Sequence, residues 1–182
     1  HDADYIERML RWIEASVYLP LMRVHGYQSD TEPWRYGDEA QKVIAQCLRE
    51  RYRLLPYIYS NAAEVTFEGG TLMRPLVFDF AHDPKALQST GTYLFGRALL
   101  VHPVTEAHAN TWRTYLPHNA GGWYDYRTNR HYEGGQYIDS PVTLSTIPVF
   151  ARGGSIVALG GDRQYATEAI DATLEIRVYP GS

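Results

Sequence analysis

The change from helix to strand lies within residues 55–80, LPYIYSNAAEVTFEGGTLMRPLVFDF. Leu55 and Tyr59 continue a helical spacing of apolar residues that starts further upstream. Gly69-Gly70 is a typical helix stop, and residues 72–80 are predicted as a strand. The sequence therefore predicts a helical first third followed by β-structure.

The helical part contains two predicted helices with a strand and a loop between them. Apolar residues at helical spacing predict one helix over residues 4–16 and another from near Asp38. Pro56 lies inside the second pattern, which predicts a kink or two abutting helices. Residues 17–24, VYLPLMRV, are predicted as a buried strand, and the polar residues 26–37 as a long loop of the kind that often carries function.

The β part is predicted as an antiparallel sandwich, because turn residues interrupt apolar stretches at roughly ten-residue intervals. Residues 160–172 are predicted as a linker, and residues 173–179 as a final strand with nothing to pair with, which suggests that the chain stops early in a longer protein. The predicted strands before the linker cover residues 72–80, 93–104, 111–116, 123–126, 131–137 and 142–157.

Composition excludes several classes of protein. A net charge of −4 leaves no basic surface for nucleic acid or an anionic membrane, and no apolar run reaches the length of a membrane span. The single cysteine, Cys47, excludes an intrachain disulfide and a cysteine-based zinc site. The seven histidines lack metal-ligand spacing, so we expect neither a metal nor a cofactor.

Two groups of residues are candidates for binding. Arg23 and His25 are two apart on the predicted strand and therefore point to one side, which at the carboxyl end of a barrel strand faces a ligand. The alternative is a buried ion pair and a structural histidine. Trp34 lies in an aromatic and charged cluster, residues 32–36, which either packs on a sugar ring or anchors its loop through the tryptophan.

Two further groups have simpler explanations. Arg49, Arg51 and Arg53 do not share one helix face, so we interpret them as solvated or ion-paired. Residues 123–126, WYDY, would suit a platform for sugar rings, but a strand with cross-strand neighbours is the better interpretation.

Short blocks along nearly the whole chain resemble glycoside hydrolase family 31, which contains α-glucosidases and α-xylosidases. The resemblance implies an α+β chain: the last βα elements of a (β/α)8 TIM barrel (residues 1–78), an antiparallel β-sandwich (79–160), and a linker with the first strand of a distal β-domain (161–182). The blocks are RWIE at 11–14, LMRVHG at 21–26, EPWRYG at 32–37, RYRLLPYIY at 51–59, MRPL at 73–76, YLFG at 93–96, LLVHPV at 99–104, YLP at 115–117, GWYD at 122–125, YEGG at 132–135, IPVFARGGSI at 147–156 and LEIRVYPG at 174–181.

The resemblance also implies an activity. Family members are retaining α-glycosidases, so we expect release of terminal non-reducing α-linked xylose or glucose from oligosaccharides. The family's two catalytic aspartates lie on earlier strands, one in a W-x-D-x-x-E segment that is absent here, so no catalytic residue is expected in this chain. His25 is implied to bond a sugar hydroxyl, Arg23 to support the barrel floor through an ion pair, and Trp34 to lie near the rim.

The expected partners are therefore an oligosaccharide and the upstream remainder of the barrel, and the isolated chain should be inactive. Two alternatives remain at the level of sequence. The chain could be a non-catalytic carbohydrate-binding β-sandwich that uses its tyrosine and tryptophan rings. It could also be the complementing half of a split enzyme whose other chain carries the aspartates.

Overall fold

A computed structural model describes residues 2–28, 30–168 and 173–181. The chain is α+β, with its long helices first and antiparallel strands after them, as predicted. Short 3-10 helices cover Pro33–Tyr36 and Leu76–Phe78. The α-helices are α1 (Ala3–Ser16), α2 (Asp38–Arg53), α3 (Leu55–Glu68) and α4 (Pro84–Gln88).

Local signals in the sequence set the ends of the long helices. The Asp2 carboxylate caps α1 by accepting a hydrogen bond from the Tyr5 amide at 2.7 Å. Helices α2 and α3 abut at Leu54, with Pro56 in the first turn of α3, where its missing N–H costs nothing. Gly69 ends α3 in the left-handed conformation, with φ of 69°. The predicted junction and the predicted stop are both confirmed.

The strands are β1 (Met73–Pro75), β2 (Tyr93–Phe95), β3 (Leu99–Val101), β4 (Thr111–Leu116), β5 (Trp123–Asp125), β6 (His131–Tyr132), β7 (Gln136–Pro141), β8 (Val149–Arg152), β9 (Ser155–Leu159) and β10 (Glu175–Tyr179). They form one six-stranded sheet, in the order β1-β2-β3-β8-β5-β6, and two pairs, β4-β7 and β9-β10. Every pairing between these strands is antiparallel.

The six-stranded sheet separates two apolar cores. Alternate residues of one strand point to opposite faces, so Tyr93 and Phe95 pack against the helices while Leu94 between them packs on the other side. The helix-side core also contains Leu10, Ile44 and neighbouring residues of α1 and α2. The second core lies between the sheet and the β4-β7 pair. The helices and the β-domain are therefore joined through one face of the sheet.

Several expectations about strands are wrong. The predicted strands 93–104, 131–137 and 142–157 are each divided between two strands, which are β2 and β3, β6 and β7, and β8 and β9. Residues 17–24 form no strand, because the described residues offer no neighbouring strand and Pro20 lacks an amide hydrogen. Residues 72–80 form a strand only over Met73–Pro75 before turning into a 3-10 helix. The final strand has a partner, since β10 pairs with β9 over all five of its residues.

The predicted linker is irregular over residues 161–168, and its residues 169–172 lie outside the described part of the chain. In the described ranges, no helix has both the length and the apolar character needed to cross a bilayer.

Candidate functional site

The segment between α1 and α2 carries the candidate binding residues, and its first part is fixed by the rest of the fold. Helix α1 ends at Ser16, and the next residues, Val17 and Tyr18, are buried. The Tyr93 hydroxyl donates a hydrogen bond to the Tyr18 carbonyl at 2.9 Å. Because Tyr93 belongs to β2, the segment leaves α1 from a point held by the sheet.

Arg51 of α2 holds the same segment from the other side. One of its terminal nitrogens, Nη1, donates to the carbonyl oxygens of Val17 at 2.7 Å and Leu19 at 2.6 Å. The other nitrogen, Nη2, donates to the Pro20 carbonyl at 3.1 Å. The interpretation of Arg51 as an ordinary solvated or ion-paired residue is therefore wrong, since its donors satisfy a backbone that forms no strand.

Arg23 and His25 lie together beyond this fixed part, as their spacing predicts. Arg23 Nη2 lies 2.7 Å from His25 Nδ1, and both side chains are exposed. A guanidinium can only donate, so Nδ1 must accept and the ring hydrogen is on Nε2. This contact leaves Nε2–H as a donor on an exposed side chain, which suits a sugar hydroxyl. Within the described ranges, Arg23 has no acidic partner, so its implied ion pair stays a prediction.

Trp34 lies on the loop that follows, and its side chain is 64% exposed. Among the described residues, no hydrogen bond or ring contact joins Trp34 to Arg23 or His25. The loop is anchored instead by Tyr36, which is buried, stacks on Tyr5 and donates to the Asp30 carbonyl. The alternative in which the tryptophan anchors the loop is therefore wrong, and Trp34 remains available at the surface.

The carboxylates of this loop are engaged locally. Asp30 Oδ2 lies 3.2 Å from Arg35 Nε, and Glu32 Oε2 accepts from the Thr31 amide at 3.1 Å. In the part of the chain that the structure describes, no group of three potential metal ligands occurs. The segment thus offers a polyhydroxy ligand a hydrogen-bond donor, His25, and an exposed ring, Trp34. Its carboxylates instead make contacts within the loop.

The aromatic residues of the stretch 123–126 do not form an exposed platform for sugar rings. Trp123 is fully buried, and its indole donates to the Pro117 carbonyl at 2.8 Å. Tyr126 is also buried, and its hydroxyl donates to Glu50 Oε1 at 3.1 Å. The interpretation of residues 123–126 as a strand with cross-strand neighbours is confirmed.

Sequence reasoning missed Arg51 and Tyr36, the two side chains that fix the ends of the binding segment. Arg51 is one of three arginines at alternating positions, and nothing local distinguishes it from Arg49 and Arg53. Tyr36 is one of many tyrosines, and only its position next to α1 explains its burial.

Comparison with known families gives two matches. The profile of the glycosyl hydrolases family 31 TIM-barrel domain matches residues 1–61. The profile of the glycosyl hydrolase family 31 C-terminal domain matches residues 69–157. Both profiles belong to one family and match in the order that the resemblance implies.

Curated relatives and solved structures agree with these matches. An α-xylosidase of Saccharolobus solfataricus is 42% identical over 97% of this chain and 24% of its own length. The human neutral α-glucosidase C is 43% identical over 84% of this chain and 17% of its own length.

The crystal structure of a GH31 α-xylosidase from Xanthomonas citri superposes with a TM-score of 0.92 at 36% identity, over 98% of this chain and 20% of that one. A GH31 dextranase of Flavobacterium johnsoniae complexed with glucose superposes with a TM-score of 0.91 at 33% identity, over 100% and 22%. The chain thus spans less than a quarter of each of these proteins.

Proposed function

Because the chain belongs to glycoside hydrolase family 31, we propose that it is the end of the catalytic barrel and the following β-domain of a retaining α-glycosidase. The substrate is a terminal, non-reducing α-linked xylose or glucose of an oligosaccharide. We call the longer protein that carries these residues the parent polypeptide. The observation that carries the proposal is the Arg23–His25 pair, which presents a donor on an exposed side chain, in a segment held at its start by Arg51 and Tyr93.

The exposed apolar surface supports a larger parent polypeptide. A groove of about 890 Å³ runs between α1 and the β1-β2 region, lined mainly by apolar side chains that include Trp12, Met73 and Val104. Trp12 is 61% exposed and Leu21 is 72% exposed. An exposed, mainly apolar groove of this kind is typical of a face that another part of the protein covers. We assign that cover to the upstream part of the barrel.

The proposed chemistry divides the work between this chain and the upstream barrel. In a retaining glycosidase, one carboxylate attacks the anomeric carbon while a second protonates the leaving oxygen, and the second then activates water. Both groups are assigned to the upstream strands. His25 binds a hydroxyl of the sugar at the scissile bond through Nε2–H, and Arg23 fixes the orientation of its ring. Trp34 is assigned to the rim of the site.

The two alternative functions are a carbohydrate-binding module and one half of a split enzyme. A carbohydrate-binding module needs a set of exposed rings on one face of the sandwich, whereas Trp123 and Tyr126 are buried and Tyr137 on β7 is 43% exposed. A split enzyme would use the same groove and the same His25, with the upstream barrel on a second chain. It differs from the proposal only in whether the aspartates lie on the same polypeptide.

Replacing His25 by alanine in the parent polypeptide tests the proposal. We expect kcat/KM for p-nitrophenyl α-xyloside or α-glucoside to fall about 10-fold, since a hydrogen bond between a neutral imidazole and a sugar hydroxyl is worth about 0.5–1.5 kcal/mol. The matched control is His82→Ala, an exposed histidine in the β-domain, which should leave kcat/KM unchanged. A loss below threefold for His25→Ala, or equal losses for the two variants, contradicts the assigned role.

A further inference from the structure

A cavity of about 230 Å³ lies where the helices meet the β-domain. It is bounded by α1, by α2, by the turns after β5 and before β8, and by β10. The side chain of Glu14 lines it from α1 and is only 3% exposed. The other titratable residues that line it are Tyr18, Cys47, Glu50, Tyr126, Arg127 and Arg177.

Glu14 has no hydrogen-bond donor from the described protein. Neither of its carboxylate oxygens accepts a hydrogen bond from these residues. Its nearest cationic partner is Arg11, whose Nη1 lies 3.8 Å from Glu14 Oε2. The donors of Arg11 are directed elsewhere, to the Thr143 carbonyl at 2.5 Å and the Ala109 carbonyl at 3.0 Å. A buried carboxylate in this position lacks the hydrogen bonds that would stabilise its charge.

The other charged groups around the cavity are also engaged with partners other than Glu14. On α2, Glu50 accepts from the hydroxyl of Tyr126. From the β-domain, Arg127 Nη2 donates to the Ser145 carbonyl at 3.2 Å. From β10, Arg177 Nε donates to Glu175 at 2.6 Å.

Two further titratable groups face Glu14 and do not offset its charge. Burial raises the pKa of the Cys47 thiol to about 12, and the nearby Glu14 carboxylate adds to that rise. Burial also raises the pKa of Tyr18 far above its ordinary value. Both groups are therefore neutral in the ordinary pH range, and the cations that lower the pKa of Glu14 are Arg11 and Arg127.

We propose that Glu14 makes the contact between α1 and the β-domain sensitive to pH, with α1 firmly packed when Glu14 is neutral and loosened when it is ionised. The direction of this pH effect follows from the burial of Glu14, because burial destabilises the ionised carboxylate and not the neutral acid. Burial raises the pKa of Glu14 from 4.5 to about 7, against the opposing effect of Arg11 and Arg127. The folded state then binds this proton more tightly than the unfolded state. The stabilisation is complete below the unfolded pKa and is lost as pH rises through the folded pKa.

Amide hydrogen exchange in α1 of the parent polypeptide tests this inference, because exchange reports local opening independently of activity. After correction for intrinsic rates, the α1 amides should lose protection about 30-fold between pH 5.5 and 8.5, as a pKa that moves from 4.5 to about 7 requires. Glu14→Gln removes the charge with little change in shape and should abolish this loss. Glu14→Met, an apolar replacement of similar length, should do the same.

The control is Glu39→Gln on α2, whose side chain is 88% exposed, and it should keep the wild-type dependence on pH. The proposal is overturned if the wild-type protein and both Glu14 variants show the same dependence, since Glu14 would then stay ionised or be hydrated in its cavity. It is also overturned if both variants lower α1 protection equally at pH 5.5 and 8.5. Neither result bears on glycosidase activity, so the inference and the proposed function fail separately.

Discussion

Replacing Arg11 by alanine is expected to weaken the packing of α1 on the β-domain by about 4 kcal/mol, because its removal leaves the buried Glu7 carboxylate without its guanidinium and two β-domain carbonyls without their donors. Arg11 is 8% exposed and lies 3.5 Å from the carboxylate of Glu7 and 3.8 Å from that of Glu14, both buried on α1. Its donors also reach the Thr143 and Ala109 carbonyls, so one side chain connects α1 to two loops of the β-domain.

The measurement is amide exchange of α1 in the parent polypeptide, where a loss of this size corresponds to about a 10³-fold fall in protection. Arg49→Ala is the matched control, since Arg49 is an exposed arginine on α2 that does not line the groove assigned to the upstream barrel. Its effect should stay within about 0.5 kcal/mol. A similar, small effect for both arginines would show that Arg11 does not connect the two parts of the chain.

Replacing Asp83 by alanine is expected to destabilise the β-domain by about 3 kcal/mol, since a buried carboxylate with several donors is lost at once. Asp83 caps α4 through the Lys85 and Ala86 amides. It also accepts from the Tyr115 hydroxyl at 2.9 Å and from the His118 amide at 3.1 Å. The one side chain therefore ties α4 to β4 and to the turn after it.

Because of the Asp83 carboxylate, the stability of the β-domain falls as the pH is lowered, whereas the ionisation of Glu14 loosens α1 as the pH is raised. Burial raises the pKa of Asp83, but the bonds from His118, Tyr115, Ala86 and Lys85 outweigh it and hold the pKa below 3.8. The stabilisation is therefore present above pH 3.8 and is lost as pH falls through the lower folded value. Amide exchange of β4 measures the effect.

Two further variants give reference values for the effect of Asp83→Ala on stability. Tyr115→Phe removes a single donor and should cost about 1 kcal/mol. Asp162→Ala, an exposed aspartate outside the strands, should cost about 0.5 kcal/mol or less. If Asp83→Ala destabilises the β-domain no more than Asp162→Ala does, the Asp83 carboxylate does not hold α4 against β4.

Elements with strong local signals were predictable from the sequence. The ends of α1, α2 and α3 depend on nearby residues, and Pro56 and Gly69 mark the α2-α3 junction and the end of α3 as expected. The closeness of Arg23 and His25 also followed from their spacing, because extended backbone places alternate side chains on one side whether or not it belongs to a sheet. Helix α4 was missed although Asp83 followed by Pro84 is a recognisable helix start.

Features that depend on distant residues could not be predicted. The pairing of β10 with β9 depends on two strands separated by the stretch that was predicted as a linker. The absence of a strand over residues 17–24 depends on which strands lie beside them, which the apolar pattern alone does not reveal. The hydrogen bonds from Arg51 and the unpartnered carboxylate of Glu14 arise only when α1, α2 and the β-domain come together.

The position of the catalytic nucleophile tests the account most directly. A fluorinated α-glycosyl fluoride traps the covalent intermediate of a retaining glycosidase, and mass spectrometry of the digested parent polypeptide locates the labelled carboxylate. We predict one labelled peptide, upstream of the segment that begins at residue 1 here, with labelling that parallels the loss of activity. A label on a carboxylate within residues 1–182, such as Asp30 or Glu32, would contradict the assignment of the catalytic pair to the upstream barrel.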